Sequence, residues 1–129
     1  KYMMKSSLLF LLPGLYGLKR KEYTCSSLMI LGSLISLNYW RDPKPGFRRN
    51  LDLYFVRFCV PTFGYNILYS IDTWYNIFLI SGIYGIGKLF FFKASYEYYK
   101  KNRFWYIYHL GFHSFCFFGH ICTSCLLNI

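Results

Sequence analysis

Apolar residues fall into five blocks separated by short basic or turn-forming segments, with no polar alternation inside the blocks. The blocks cover 6–18, 23–40, 51–70, 73–92 and 104–127. At about 1.5 Å of rise per residue the last four would reach roughly 27 to 36 Å as helices, and the hydrocarbon core of a bilayer is about 30 Å thick. They predict four transmembrane helices. The first block, SSLLFLLPGLYGL, has 13 residues and is interrupted by Pro13-Gly14, so it predicts a short, kinked helix that re-enters or lies at the interface. With Lys1 and Lys5 ahead of it, this block also has the outline of a signal-peptide core, although no small-x-small site follows it. A chain that begins at Lys1 rather than Met reads as a processed or incomplete product. The expected fold is all-α, a polytopic transmembrane bundle of four spans plus a short N-terminal hydrophobic helix, in one integral membrane domain over 1–129.

The segments between blocks support this division. Asn38, Tyr39 and Trp40 form the aromatic belt expected where a helix leaves the bilayer. Pro43, Pro45 and Gly46 then predict a basic loop over 41–50, and Pro61 predicts a bend in the third block. Ile71-Asp72 reads as a tight turn, with Asp72 placed to cap a helix starting at Thr73. Ser81, Gly82, Gly85 and Gly87 offer a small-residue face for close helix contact.

Charge changes the picture by giving the spans a direction. Fifteen Lys and Arg against five Asp and Glu leave a net charge of +10. In a soluble protein that excess would suggest a nucleic-acid partner. Here the basic residues lie between apolar blocks, which argues against nucleic acid and for a lipid bilayer. Lys1 and Lys5, four residues in 41–50 and four in 93–103 fall on one side of an alternating topology, and only Lys19, Arg20 and Lys21 on the other. The positive-inside rule then puts loops 41–50 and 93–103 on the cytoplasmic or matrix side. Arg57 and Lys88 lie within spans, near enough to that side to snorkel. Heavy use of Phe, Tyr, Ile, Lys and Asn suggests an AT-rich genome and hence an organelle inner membrane or a viral, endoplasmic-reticulum-derived one. Five Cys, of which only Cys122 and Cys125 are closely spaced, give no disulfide framework.

The candidate chemistry lies in the last block. His109, His113, Cys116 and His120 are spaced four, three and four apart, a single stripe on one helical face that should look inward. Three readings follow. The histidines hydrogen-bond across helices; or His109 and His113, at i,i+4, hold zinc with Asp52 or Cys116 as a further ligand; or His113 or His120 ligates haem b. Ser36, Asp52 and His109 each lie within roughly 10 Å of the basic boundary by helical rise and could meet in one pocket. Asp52 could equally pair with Arg48 at i,i+4 or sit favourably in the first turn of its helix.

Taken together, Ser36 to Trp40 (SxxxW), RRNLD from Arg48 to Asp52, and HxxxH at His109 and His113 resemble the CREST superfamily of alkaline ceramidases, haemolysin III and progestin/adipoQ receptors. That family carries SxxxH, Asp and HxxxH on three helices of a seven-helix bundle around zinc. Trp40 stands where the family has its first histidine. The resemblance implies zinc held by His109 and His113, with Asp52 orienting water and Ser36 stabilising an oxyanion during hydrolysis of a lipid amide. The WRDPKPGFRRNLD stretch is also similar to small membrane proteins of large DNA viruses.

The leading expectation for function is a structural or accessory subunit of a larger membrane assembly, with other membrane subunits as partners and no catalytic activity of its own. A reduced CREST-like lipid amidohydrolase and a haem-bearing redox anchor are the alternatives.

Overall fold

The computed structural model describes residues 2–126, apart from the side chain of Ser70. The basic leader residue Lys1 and the expected helix end at Leu127 lie outside the described residues. Every regular element described is a helix: α1 Tyr2–Leu9, α2 Leu11–Lys19, α3 Tyr23–Trp40, α4 Phe47–Ser70, α5 Trp74–Tyr99 and α6 Trp105–Leu126.

The N-terminal block is kinked, as Pro13-Gly14 predicts, but it is longer than the expected 6–18 helix. Helical structure begins at Tyr2 and breaks at Phe10, three residues ahead of Pro13. A proline in a helix removes one N–H and presses its ring on the carbonyl four residues back, here that of Leu9, so the distortion lands at Phe10. Together α1 and α2 run alongside α6 for most of its length, from the stacked rings of Tyr2 and Tyr106 to the bond between Tyr16 and Cys125. The segment therefore traverses the bundle and neither doubles back nor lies across its end.

The expected loops are shorter than composition suggested. Loop 41–50 closes at Gly46, whose φ of 141° lies in a region suited to glycine, and Phe47–Asn50 already belong to α4. The basic stretch 93–103 is mostly helix: α5 continues to Tyr99, supported by the Lys93–Glu97 ion pair at 2.7 Å and i,i+4 spacing. It ends at Lys101, left-handed at φ 56°, with Lys101 N–H donating to Tyr98 O and Asn102 N–H to Glu97 O at 2.9 and 3.0 Å. Those paired bonds are a Schellman end. Helix α5 starts at Trp74 with Thr73 as its N-cap residue, and no side-chain cap bond forms there, so the cap position is one residue beyond the expected Asp72. Pro61 lies inside α4.

From α2 onward, helices consecutive in the chain run antiparallel, whereas α1 and α2 run parallel to α6. Helices α5 and α6 form a hairpin in which glycines on one helix receive aromatic rings from the other. A Cβ at Gly111 would lie 2.5 Å from the Phe90 ring, one at Gly87 would lie 3.1 Å from Phe115, and one at Gly119 would lie 3.0 Å from Tyr84. Gly82 and Gly85 have nothing within 4 Å, so only Gly87 of the expected small-residue face is used inside the bundle. On the other flank of α6, α1 and α2 are followed by α3 and then α4. The rings of Trp40 and Trp105, Tyr98 and Trp105, and Tyr2 and Tyr106 gather the 41–46 loop, the 100–104 turn and the N-terminal helix at one end. The 20–22 turn, the 71–73 turn and the end of α6 lie at the other.

Among the described residues one helix, α5, is long and apolar enough to cross a membrane by length and composition. Helix α4 carries Arg48, Arg49, Asp52 and Arg57, α6 carries three histidines, and α3 is rich in Ser, all of which lower apolar content.

Candidate functional site

The histidine stripe of α6 looks into the bundle, as its spacing predicts. His113 is 5% exposed, with Nδ1 2.9 Å from Ser6 Oγ on α1, and its ring is packed on Phe10 at 4.8 Å between centroids. His109, one turn nearer the basic end, lies 4.7 Å from His113 and is met edge-on by Trp40 at 5.4 Å and by Trp105 at 5.9 Å. Cys116 is half-buried. His120 lies towards the opposite end, 1% exposed against Phe63 of α4, and its Nε2 makes no hydrogen bond among the described residues.

Ser36 is buried on the face of α3 that meets α1 and α4. Ser7 Oγ lies 3.2 Å from Ser36 Oγ and 2.9 Å from Met3 O, and Ser33 Oγ donates to Ser7 O at 2.7 Å. The kink at Phe10 explains the last bond. Ser7 O accepts Phe10 N–H at a long 3.3 Å where the helix is distorted, so it retains a lone pair for the serine of the neighbouring helix. Ser36 also lies near Asp52 on α4, and Asp52 makes no ion pair with Arg48 among the described residues. Ser36 and Asp52 thus lie near each other, while His109 is held by Trp40 in a neighbouring aromatic cluster.

This arrangement does not fit a bound metal. Among the described residues no three of His, Cys, Asp or Glu are grouped so as to hold an ion, so His109, His113 and Asp52 do not form a ligand set. The indole of Trp40 lies against His109 on the side from which a third imidazole would come, and indole nitrogen does not coordinate zinc. Haem fits no better. His113 is closed in by Ser6, Phe10 and Phe112, and His120 is almost wholly enclosed, so neither imidazole presents an open face to a porphyrin. What the cluster does chemically is hold buried polar groups together by hydrogen bonds and ring contacts, fixing α1, α3 and α6 in register.

Several residues of this interior have no counterpart in the motif reading. Ser6, Ser7, Ser26, Ser33 and Ser124 are buried, and so is Glu22. A usable signal is present for α3, where Glu22, Ser26, Met29, Ser33 and Ser36 recur at three- and four-residue steps down one face. A shallow depression of about 400 Å3 lies outside the bundle at the α5–α6 turn, lined by Tyr98, Tyr99, Lys101, Asn102, Arg103 and Trp105. No family model, curated protein or solved structure matches this chain.

Proposed function

We propose that the chain is a small integral membrane protein whose helical rods cross the bilayer, and that it serves as a structural or accessory subunit of a larger membrane assembly. One observation carries the reading: polarity is inverted relative to a water-soluble bundle. Among the described residues buried polar side chains, Ser6, Ser7, Ser26, Ser33, Ser124, His113 and His120 among them, are about as numerous as buried apolar ones, while every helix turns large apolar or aromatic side chains outward, among them Leu12, Leu34, Phe58, Phe78 and Phe118. In water that surface would drive association or collapse; in lipid it is the expected exterior, with small polar residues at helix contacts. Hydroxyls at Thr62, Ser114 and Thr123 bond back to carbonyls four residues earlier on their own helices, which satisfies them without water.

The basic end supports an orientation. Arg57 lies over the Tyr54 ring and Lys88 over the Phe92 ring, each leaning towards that end, and Lys100 lies 4.4 Å from the centroid of Tyr96. Long cations against interfacial aromatics are the snorkelling pattern, and the positive-inside rule puts this end on the cytoplasmic or matrix side of an organelle inner membrane or a viral, endoplasmic-reticulum-derived membrane. A subunit role follows from the flanks of α4 and α5. These two helices touch little beyond their connecting turn, and Gly64, Gly82 and Gly85 have no neighbour within 4 Å, so close helix contact remains available to a partner.

Single cysteines introduced at Gly46, Lys100 and Asp72 in a variant without native cysteines test the reading. Impermeant thiol reagents should reach positions 46 and 100 from one face of sealed membranes and position 72 from the other, and extraction in mild detergent should yield the chain with other polypeptides. Labelling of all three positions from one face, or a monodisperse monomer, would overturn it.

A second reading, a CREST-like arrangement that has lost its zinc, draws on the placement of Trp40 beside His109 and of Ser36 near Asp52. Trp40→His restores the absent ligand. A gain in zinc bound by the purified, folded variant would favour this reading, and no gain would remove it.

A further inference from the structure

At the end of the bundle opposite the basic loops, α2, α3 and α6 converge on Glu22. The chain leaves α2 through a Schellman end: Lys21 is left-handed at φ 63°, its N–H donates to Leu18 O at 3.0 Å, and Glu22 N–H donates to Gly17 O at 2.9 Å. That turn fixes Glu22 over Gly17. Glu22 is 6% exposed, and its Oε2 accepts Ser124 Oγ–H from α6 at 3.1 Å. Its other oxygen, Oε1, makes no hydrogen bond among the described residues, and neither does Ser26 Oγ, which is fully enclosed on α3. Gly17 permits the convergence, because a Cβ there would collide with Ser26 Oγ and lie 3.4 Å from Ser124 Oγ. One carboxyl and two hydroxyls from three segments therefore close on a notch without a side chain, with two buried oxygens in want of a partner.

A buried carboxylate without a counter-charge is costly, as is a buried polar atom without a hydrogen bond. Burial pushes the Glu22 carboxyl above the usual carboxylate range, opposed by the Ser124 hydrogen bond and by the Arg20 charge. Arg20 makes no ion pair with it among the described residues. The other titratable groups around it are Tyr16 and Cys125, 3.5 Å apart, and Cys25, with the exposed Lys21 next to it in the chain.

We propose that Glu22, Ser26 and Ser124 form a binding site for a small monovalent cation of the sodium class, exchanging with a proton on Glu22. The donors are hard oxygens, which suit an alkali cation rather than a soft metal. Charge selects the valence: one carboxylate neutralises one positive charge, whereas a divalent ion would leave an uncompensated charge in a low-dielectric site. The exchange balances, since the Glu22 O–H releases its proton to solvent as the cation arrives and the net charge of the site stays at zero. The inference rests on the packing of α2, α3 and α6 and is independent of the subunit reading.

A carbodiimide that adds to protonated carboxyls in apolar surroundings tests it on the full chain in detergent, with adducts located by mass spectrometry. Glu22 should be labelled, more slowly as pH rises. Sodium chloride should slow labelling where choline chloride does not, by about tenfold at a sodium concentration about ten times its dissociation constant, because roughly a tenth of the sites then remain free. Glu22→Gln should remove the adduct. Ser26→Ala combined with Ser124→Ala should keep the adduct and lose the sodium protection, so that variant reports on the hydroxyls while its own labelling shows that the carboxyl site is intact. Labelling equally fast in sodium and choline, sodium protection that survives loss of both hydroxyls, or no adduct at Glu22 would each overturn the proposal.

Discussion

The two seams of α6 hold their neighbours by different physics. Against α5 the contact is apolar and shape-driven, with Phe90 over Gly111, Phe115 over Gly87 and Tyr84 over Gly119. Against α1 and α2 it is polar, through His113 with Ser6, Tyr16 with Cys125 and Ser124 with Glu22, and this polar network continues to α3 through Ser33 and Ser36. In the bilayer setting proposed above, no hydrophobic force separates the two modes, because apolar surface gains nothing by leaving lipid for protein. The glycine notches rely on dispersion between closely fitted atoms, which is lost or reversed by small errors of volume. The hydroxyl seam relies on hydrogen bonds whose partners can be exchanged. The first seam should therefore be brittle and the second tolerant.

The largest effect is expected at Gly111. In Gly111→Leu the new side chain has no room beside Phe90, and overpacking should cost about 2 to 3 kcal/mol, separating α5 from α6. Unfolding in detergent-lipid mixtures, followed by Trp105 fluorescence or by cross-linking of cysteines across the hairpin, reads this directly. The control is Gly85→Leu on the outward face of α5, where nothing lies within 4 Å and stability should barely change. Equal losses at both positions would erase the distinction between the inner and outer faces of α5.

This contrast also shows what could be read from sequence. The apolar blocks located the helices because continuous apolar runs of that length leave few alternatives to helix. Helix ends were less legible. Basic composition marked 93–103 as a loop, but the Lys93–Glu97 pair and the Asn102 side chain, which donates to Glu97 Oε2 at 2.7 Å, extend α5 through most of it. The inward histidine stripe was legible from spacing alone. Its chemistry was not, because whether His109 meets a metal ligand or an indole depends on how α3 packs on α6, a long-range fact with no local signal. The Glu22 site was hidden for a related reason. Lys19-Arg20-Lys21-Glu22 reads as a solvated charged turn, and only the Schellman geometry over Gly17 carries the carboxylate inward.

On the polar side the expected effect is smaller. Ser33→Ala removes the 2.7 Å bond to Ser7 O, a carbonyl that also accepts Phe10 N–H, so no buried acceptor is left without a partner. The loss should be about 1 kcal/mol, within the range for interhelical hydrogen bonds in membranes. Ser33→Leu sharpens the comparison, since it asks the hydroxyl seam to accept the kind of added volume that Gly111 should refuse. A Ser33→Ala loss as large as that of Gly111→Leu would show that hydrogen bonds, rather than fit, dominate this bundle.

The smallest effect is expected where the two seams are closed off, at the left-handed lysines. Lys101 ends α5 and Lys21 ends α2, each at a position that glycine occupies without steric cost. A left-handed conformation costs a residue with a Cβ about 1 to 2 kcal/mol, while a cation at a helix C-terminus returns about 0.3 to 1 kcal/mol by complementing the helix dipole. Lys101→Gly trades the second for the first and also loosens the unfolded chain, so the net gain should be about 0.5 kcal/mol, visible as a small rise in Tm. Lys21→Gly makes the same trade in backbone terms, but it also removes a positive charge one residue from the buried carboxyl of Glu22. If that charge helps hold Glu22 in place, Lys21→Gly should gain less than Lys101→Gly, and the shortfall should disappear in a Glu22→Gln background. Equal gains at both ends would show that Lys21 acts on its turn alone, leaving Ser124 as the Glu22 partner that matters.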